Sequence, residues 1–167
     1  MIYDSVNPHL YSKEMRETLI NEIEGNRILD VGVGTGYSSK EFENAIGIDL
    51  SKKMLCKAKD YKGALILADA TQPPFKPESF DTIISAGSFY YLSSPLEALK
   101  IFHSLLKEKG VLLSITPNIK SLKLLVHVYS KAELEELFGL SNFRVEKIMK
   151  VGWRGIAYFS KVRKIDR

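Results

Sequence analysis

The chain has 167 residues, 45% of them hydrophobic and 26% charged, the make-up of one globular domain, 1–167, around one core. A single cysteine, Cys56, excludes an internal disulfide and any zinc cluster built from cysteines of one chain. With no signal-like start and no apolar run of about 18 residues, a cytoplasmic protein without a membrane span is expected. Lys13 to Glu24 reads as a helix with Met15, Leu19, Ile20 and Ile23 on one face. Arg27 to Val31 is a short buried strand that runs into glycines, and Tyr37 to Phe42 opens the next helix. Ala45 to Leu50 is a second strand, Ser51 an N-cap, and Lys52 to Lys59 a helix. Ala64 to Ala68 is a third strand. Thr71 to Glu78 is a loop, since its three prolines do not suit a central sheet.

Phe80 to Ser85 is a fourth strand, and Pro95 starts a helix that runs to about Leu106. Gly110 closes that connection before a fifth strand, Val111 to Thr116. Ser130 and Glu133 form a capping box for a helix over Lys131 to Phe138. Phe143 to Val151 and Gly155 to Val162 are late strands with a short link, which predicts an antiparallel hairpin at one edge. The expected fold is α/β, a doubly wound Rossmann-like, mostly parallel seven-stranded sheet with an antiparallel edge hairpin. Right-handed crossovers put the strand ends on one rim, where ligands bind.

Charge is unevenly spread. Residues 1–99 hold ten Lys and Arg against fourteen Asp and Glu; residues 100–167 hold fourteen against six. Such asymmetry marks either a face for an anionic partner or an ordinary solvated surface.

The glycine loop reads Asp30-Val31-Gly32-Val33-Gly34-Thr35-Gly36. Glycine after a strand permits positive φ and close backbone approach to a ligand, and a following helix would add free N–H groups. The dinucleotide fingerprint needs a third glycine three residues after the second. That position is Tyr37, and the extra glycine, Gly36, comes one residue early. Gly32 and Gly34 leave room for a bulky group, and Asp30 adds a carboxylate. A carboxylate is unfavourable beside a pyrophosphate and favourable beside an ammonium or sulfonium. The loop therefore favours S-adenosylmethionine (SAM) over a dinucleotide.

Ile28 to Gly36 resembles the first motif of class I SAM-dependent methyltransferases. Ile46-Gly47-Ile48-Asp49-Leu50-Ser51 with Met54-Leu55 is similar to the second, and Leu67-Ala68-Asp69-Ala70 to the third. Phe75 to Asp81 resembles the stretch before strand four in the group that includes the quinone-biosynthesis methyltransferases, and Leu105 to Leu112 the turn into strand five. The resemblance covers roughly residues 25–116. It implies SAM as donor and S-adenosylhomocysteine (SAH) as product. It also implies that Asp49 accepts the ribose hydroxyls, that Leu50 and Met54 sandwich adenine, and that Asp69 accepts from the adenine amino group with the Ala70 N–H facing the ring. Ser85, Ala86 and Gly87 end strand four at the rim, where their carbonyls are expected to receive the methionine ammonium.

Phe89, Tyr90 and Tyr91 read either as a wall of the methyl-donor site or as core. Tyr3, His9 and Tyr11 form a segment that in related enzymes folds over the cofactor. Gln72-Pro73-Pro74-Phe75 lies before strand four, so it is not the amino-methylation motif that follows that strand. His103 reads as structural, Cys56 as a packed thiol, and His127 as a weak candidate base beside Tyr129. Lys120, Lys123 and His127 form a stripe if that stretch is helical. Direct methyl transfer needs positioning more than acid–base help. A small-molecule acceptor is favoured; an RNA or protein acceptor, a non-catalytic partner subunit and a homo-oligomer stay open.

Overall fold

The computed structural model describes residues 11–89, 92, 94–119 and 127–165. In chain order the elements are α1 (Lys13–Ile20), β1 (Ile28–Val31), β2 (Ala45–Asp49), α2 (Lys52–Lys57), β3 (Ala64–Leu67), β4 (Phe80–Ala86), α3 (Pro95–Leu105), β5 (Leu106–Pro117), α4 (Lys131–Leu140), β6 (Phe143–Val151) and β7 (Ala157–Lys164). The strands form one sheet in the order β3-β2-β1-β4-β5-β7-β6. Four neighbouring pairs, from β3 across to β5, are parallel. β7 runs antiparallel to both β5 and β6. This is the doubly wound sheet with an edge hairpin that the pattern of runs predicts. The order reverses between β1 and β4, which opens a crevice at the strands' C-terminal ends.

Strand alternation builds a core on each face. Leu29, Val31, Ile83 and Leu112 pack with Leu99 and Phe102 of α3 and with Leu134 and Phe138 of α4. Ile28, Ile84, Leu113 and Ile115 point the other way, onto Met15 and Leu19 of α1. The predicted caps form. Ser51 Oγ accepts from Met54 N–H, and Ser130 and Glu133 complete their reciprocal box at 3.2 and 2.7 Å.

The first helix ends at Ile20 rather than Glu24, capped at Asn21, and two further elements differ from expectation. No helix forms over 37–42; the chain makes successive turns, with Gly36 N–H donating to the Val33 carbonyl and Lys40 N–H to that of Gly36. Gly34, Thr35, Gly36, Ser38 and Ser39 are poor helix formers, and the Ser39 hydroxyl is committed elsewhere. β5 starts at Leu106, upstream of Gly110, because the Lys107–Gly110 excursion is a bulge opposite Phe80–Thr82. Lys107 Nζ donates to Asp81 Oδ1 across it at 2.8 Å.

A cluster of cations on β6 and β7 is paired with acids from the N-terminal half. Arg163 makes a two-pronged pair with Glu24, at 2.9 and 2.8 Å, and also reaches Glu146. Lys161 lies 3.0 Å from Glu22 and 2.7 Å from Glu24, and Lys147 pairs with Glu22. The guanidinium of Arg163 holds the Glu24 carboxyl down at about 2. No helix among the described residues is long and apolar enough to cross a membrane.

Candidate functional site

A cavity of about 370 Å³ opens at the C-terminal ends of β1, β2 and β3, a size common for small-ligand sites. Val31, Gly32, Ile48, Asp49, Leu50 and Met54 line one side, and Ala68, Asp69, Ala70, Ser88 and Leu92 close it. The walls are mainly aliphatic, and two carboxylates stand among them.

Asp49 ends β2. Its Oδ2 accepts from Gly34 N–H at 2.9 Å and its Oδ1 from Ser51 N–H at 2.8 Å. One side chain thus ties the glycine loop to the start of α2. A carboxylate has about four acceptor positions, so each oxygen keeps one for a ligand. Asp69 follows β3, where Oδ1 accepts from both the amide and the hydroxyl of Thr71, each at 2.8 Å. Those bonds hold its carboxyl below the usual range, and Oδ2 has no partner among the described residues. Leu50 is 71% exposed at the rim, an apolar surface set beside these acceptors. Two carboxylates beside an aliphatic slot fit a ligand with a diol at one end and a flat base at the other, as SAM has. The predicted residues Gly32, Asp49, Leu50, Met54, Asp69 and Ala70 therefore meet in one cavity.

Three predicted residues do not line it. Asp30 is buried, and its Oδ2 accepts from the Ser39 hydroxyl at 2.6 Å. Strand alternation explains this: Asp30 shares the parity of Ile28 and turns to the α1 face, whereas Val31 faces the cavity. Tyr61 completes the network, its hydroxyl 2.8 Å from Ser39 Oγ. Burial, with Asp49 as a further cause, pushes the Asp30 carboxyl up to about 7. The expected carboxylate beside the ligand is instead a concealed group beneath the loop. Gly34 sits behind Asp49, which it holds by its N–H. The Ser85 side chain is buried and lies 2.9 Å from Ser88 Oγ.

Ser88 is among the lining residues that sequence reasoning missed. Its hydroxyl donates to the Val31 carbonyl at 2.6 Å and so closes the gap between β1 and β4. Gly32 has φ +68, and a Cβ there would lie 2.4 Å from that of Ser88, so only glycine lets the two strand ends meet. No motif spacing signals Ser88, because it belongs to the turn after β4. Leu92 was missed for the same reason.

Tyr11 reaches this rim. The Tyr11 ring packs on Tyr37, with centroids 5.7 Å apart, and its hydroxyl lies against Gly87, where a Cβ would meet it at 2.2 Å. Tyr37 donates to the Ser12 carbonyl, and Arg16 Nε to that of Tyr37 at 2.7 Å. The residue that replaces the third fingerprint glycine thus holds Tyr11 and Ser12 at this rim.

Phe89 is buried against Tyr129, centroids 5.5 Å apart, so it is core. His127 packs at a tilt on Tyr129, ring centres 4.4 Å apart, with Nε2 3.5 Å from Glu133. His103 packs edge-on to Phe143 and lies 3.1 Å from the Ile165 carbonyl, a structural role. Cys56 is exposed rather than packed, since α2 buries none of its residues. Tyr3, His9, Tyr90, Tyr91, Lys120 and Lys123 lie outside the described residues. No group of metal-ligating side chains occurs among the described residues.

Residues 29–114 match the family model described as a methyltransferase domain. The chain is 32% identical over 132 residues to a chloroplastic 2-methyl-6-phytyl-1,4-hydroquinone methyltransferase of Oryza sativa, covering 70% of this chain and 38% of the relative. It is 28% identical over 178 residues to a tRNA U34 carboxymethyltransferase of Pseudomonas fluorescens, covering 98% of this chain and 51% of the relative. The chain thus spans about half or less of the length of these two relatives. In fold it is similar to a chain in the complex between the Haloferax volcanii Trm112 methyltransferase activator and its methyltransferase, with a TM-score of 0.81 and 17% identity, covering 97% of this chain and 94% of that one.

Proposed function

The chain belongs to the SAM-dependent methyltransferase family, and on that premise we propose that it moves the methyl group of SAM to a nucleophile on a small molecule. SAM supplies an electrophilic methyl on a sulfonium. In this reading Asp49 accepts from the ribose hydroxyls. Leu50, Met54 and Ala68 wall the adenine, and Asp69 Oδ2 with the Ala70 N–H hold its edge. Gly32 and Ser88 define the end from which the methyl faces the acceptor. Holding the reactants in line is worth about 7–11 kcal/mol of barrier. Aliphatic walls keep water from the nucleophile.

The observation that favours a small acceptor is that three cations clustered on β6 and β7 are already committed to carboxylates. RNA binding needs a track of available Lys and Arg along the phosphates. Here Lys147, Lys161 and Arg163 are held by Glu22, Glu24 and Glu146. The likeness to the hydroquinone methyltransferase supports the same choice. Incubation with methyl-labelled SAM and fractionated cell extract is expected to label low-mass products. Label confined to tRNA or protein overturns the small-molecule assignment.

A second reading concerns a partner, and the β3 edge favours it. The β6 edge is guarded by exposed Arg144, Lys147 and Lys150. β3 reads Ala64-Leu65-Ile66-Leu67, carries no charge, and leaves Ala64 and Leu67 exposed. Unguarded aliphatic edges invite pairing with another chain. The partner in this reading is a small activator protein, of the kind the Haloferax relative in fold is bound to. Trm112 mixed with the chain is expected to co-elute with it in size exclusion, and Leu67→Lys to abolish co-elution. Separate elution of the unsubstituted chain rejects this reading.

A further inference from the structure

We propose that the turn between β6 and β7 is the acceptor platform, and that it takes a planar aromatic molecule carrying a carboxylate. The proposal rests on the methyltransferase reading above and names the substrate class for it.

The first observation is position. Ala157 at the start of β7 pairs with Pro117 at the end of β5, and β5 adjoins β4, whose end leads into Gly87 and Ser88. The turn therefore stands on the same rim as the cavity, two strand spacings from β4, about 10 Å. An aromatic acceptor bridges that width.

The second is rigidity. Asn118 holds the turn to the end of β5, with its N–H donating to the Ile156 carbonyl at 2.7 Å and Nδ2 to that of Gly155 at 3.1 Å. On the other side Gly152 packs on Met15 of α1.

The third is chemistry left unused. Trp153 is 73% exposed, the most exposed large hydrophobic side chain among the described residues. The Arg154 guanidinium lies 4.7 Å from the centre of its ring. Arg154 has φ 54 and ψ 22, a left-handed conformation that costs a non-glycine residue about 1–2 kcal/mol. Strain of this kind persists where a fixed geometry has a use. The Lys150 stem lies beside Gly155. Among the described residues neither Arg154 nor Lys150 has a carboxylate partner, unlike the paired Lys161 and Arg163. An exposed indole on a held turn offers a stacking face. A guanidinium beside it offers two parallel N–H groups to a carboxylate. Cations confined to one turn suit a single anionic group better than a polyanion.

Trp153 is the sole tryptophan, so its fluorescence reports on this turn alone. The SAH-loaded protein is titrated with benzoate, 4-hydroxybenzoate and 1-hydroxy-2-naphthoate, with phenol and a short oligouridylate as controls. Saturable quenching by at least one carboxylate is expected, about tenfold weaker in Arg154→Gln, with phenol weaker by a similar factor. Arg154→Gly, which relieves the backbone strain, is expected to lose quenching while melting no lower than the parent. Three outcomes overturn the proposal: no quenching by any carboxylate, equal quenching in Arg154→Gln, or quenching by oligouridylate alone. SAH binding is measured separately by calorimetry. If SAH binds and no carboxylate does, the platform fails and the methyltransferase reading stands.

Discussion

Asp49→Ala is expected to weaken SAM and SAH binding by between about tenfold and a hundredfold in titration calorimetry, the equivalent of one charge-assisted hydrogen bond of about 1.5–3 kcal/mol. Two effects contribute. The ribose hydroxyls lose their acceptor, and the loop loses the carboxylate that binds Gly34 N–H and Ser51 N–H. Asp49→Asn separates little from alanine, because a carboxamide has one acceptor oxygen for two facing N–H groups and turns an NH₂ toward the other. The two effects differ in ligand dependence. A lost ribose contact weakens adenosine and SAH but spares free adenine, whereas a loosened loop weakens all three and speeds proteolysis near 32–37. If affinity for SAH is unchanged and only the melting temperature falls, Asp49 is a structural cap, and the ribose role assigned to it is wrong.

Asp49 also shows why part of the site is readable from sequence and part is not. Gly32, Asp49 and Asp69 stand at or just past the ends of three consecutive parallel strands, so once the strands are recognised their spacing places all three on one rim. The caps at Ser51 and Ser130 are equally local, and they form as expected. Ser88 and Leu92 come from the turn after β4, where no periodicity constrains direction. Asp30 went astray through a two-residue alternation: its position in the motif is right, and its side chain belongs to the other face. The absent helix over 37–42 has a similar origin. Ser39 there is taken up by Asp30 and Tyr61, long-range partners that a sequence window does not contain. The ion pairs between the two halves are hidden from sequence for a reason of the same kind. Glu22 and Glu24 lie far in sequence from Lys161 and Arg163, yet meet them across the α1 face.

Asp30→Asn is expected to raise the stability of the protein at pH 8 and to leave it nearly unchanged at pH 4. Burial lifts the Asp30 carboxyl from its ordinary 3.8 to about 7 in the folded chain. Below 3.8 the group is protonated in both states and folding carries no penalty. Between 3.8 and 7 the unfolded chain gives up the proton while the folded chain keeps it, so stability falls as pH rises. Above 7 the penalty is complete, and at 1.36 kcal/mol per unit it reaches at most about 4 kcal/mol. Asparagine removes the ionisation and keeps an oxygen to accept from Ser39. In a chain of this size each kcal/mol moves the melting temperature by about 2–4 °C, so a gap of several degrees opens between parent and variant as pH rises from 4 to 8. Glu24 and the other depressed carboxyls act in the opposite sense, losing stability as pH falls, but they are common to both proteins and cancel in the difference. A cation bound near the glycine loop favours the ionised form of Asp30, so SAM affinity should climb through pH 7 in the parent and stay flatter in the variant. A melting-temperature difference that does not change with pH would show that Asp30 is ionised throughout, held by groups other than Ser39.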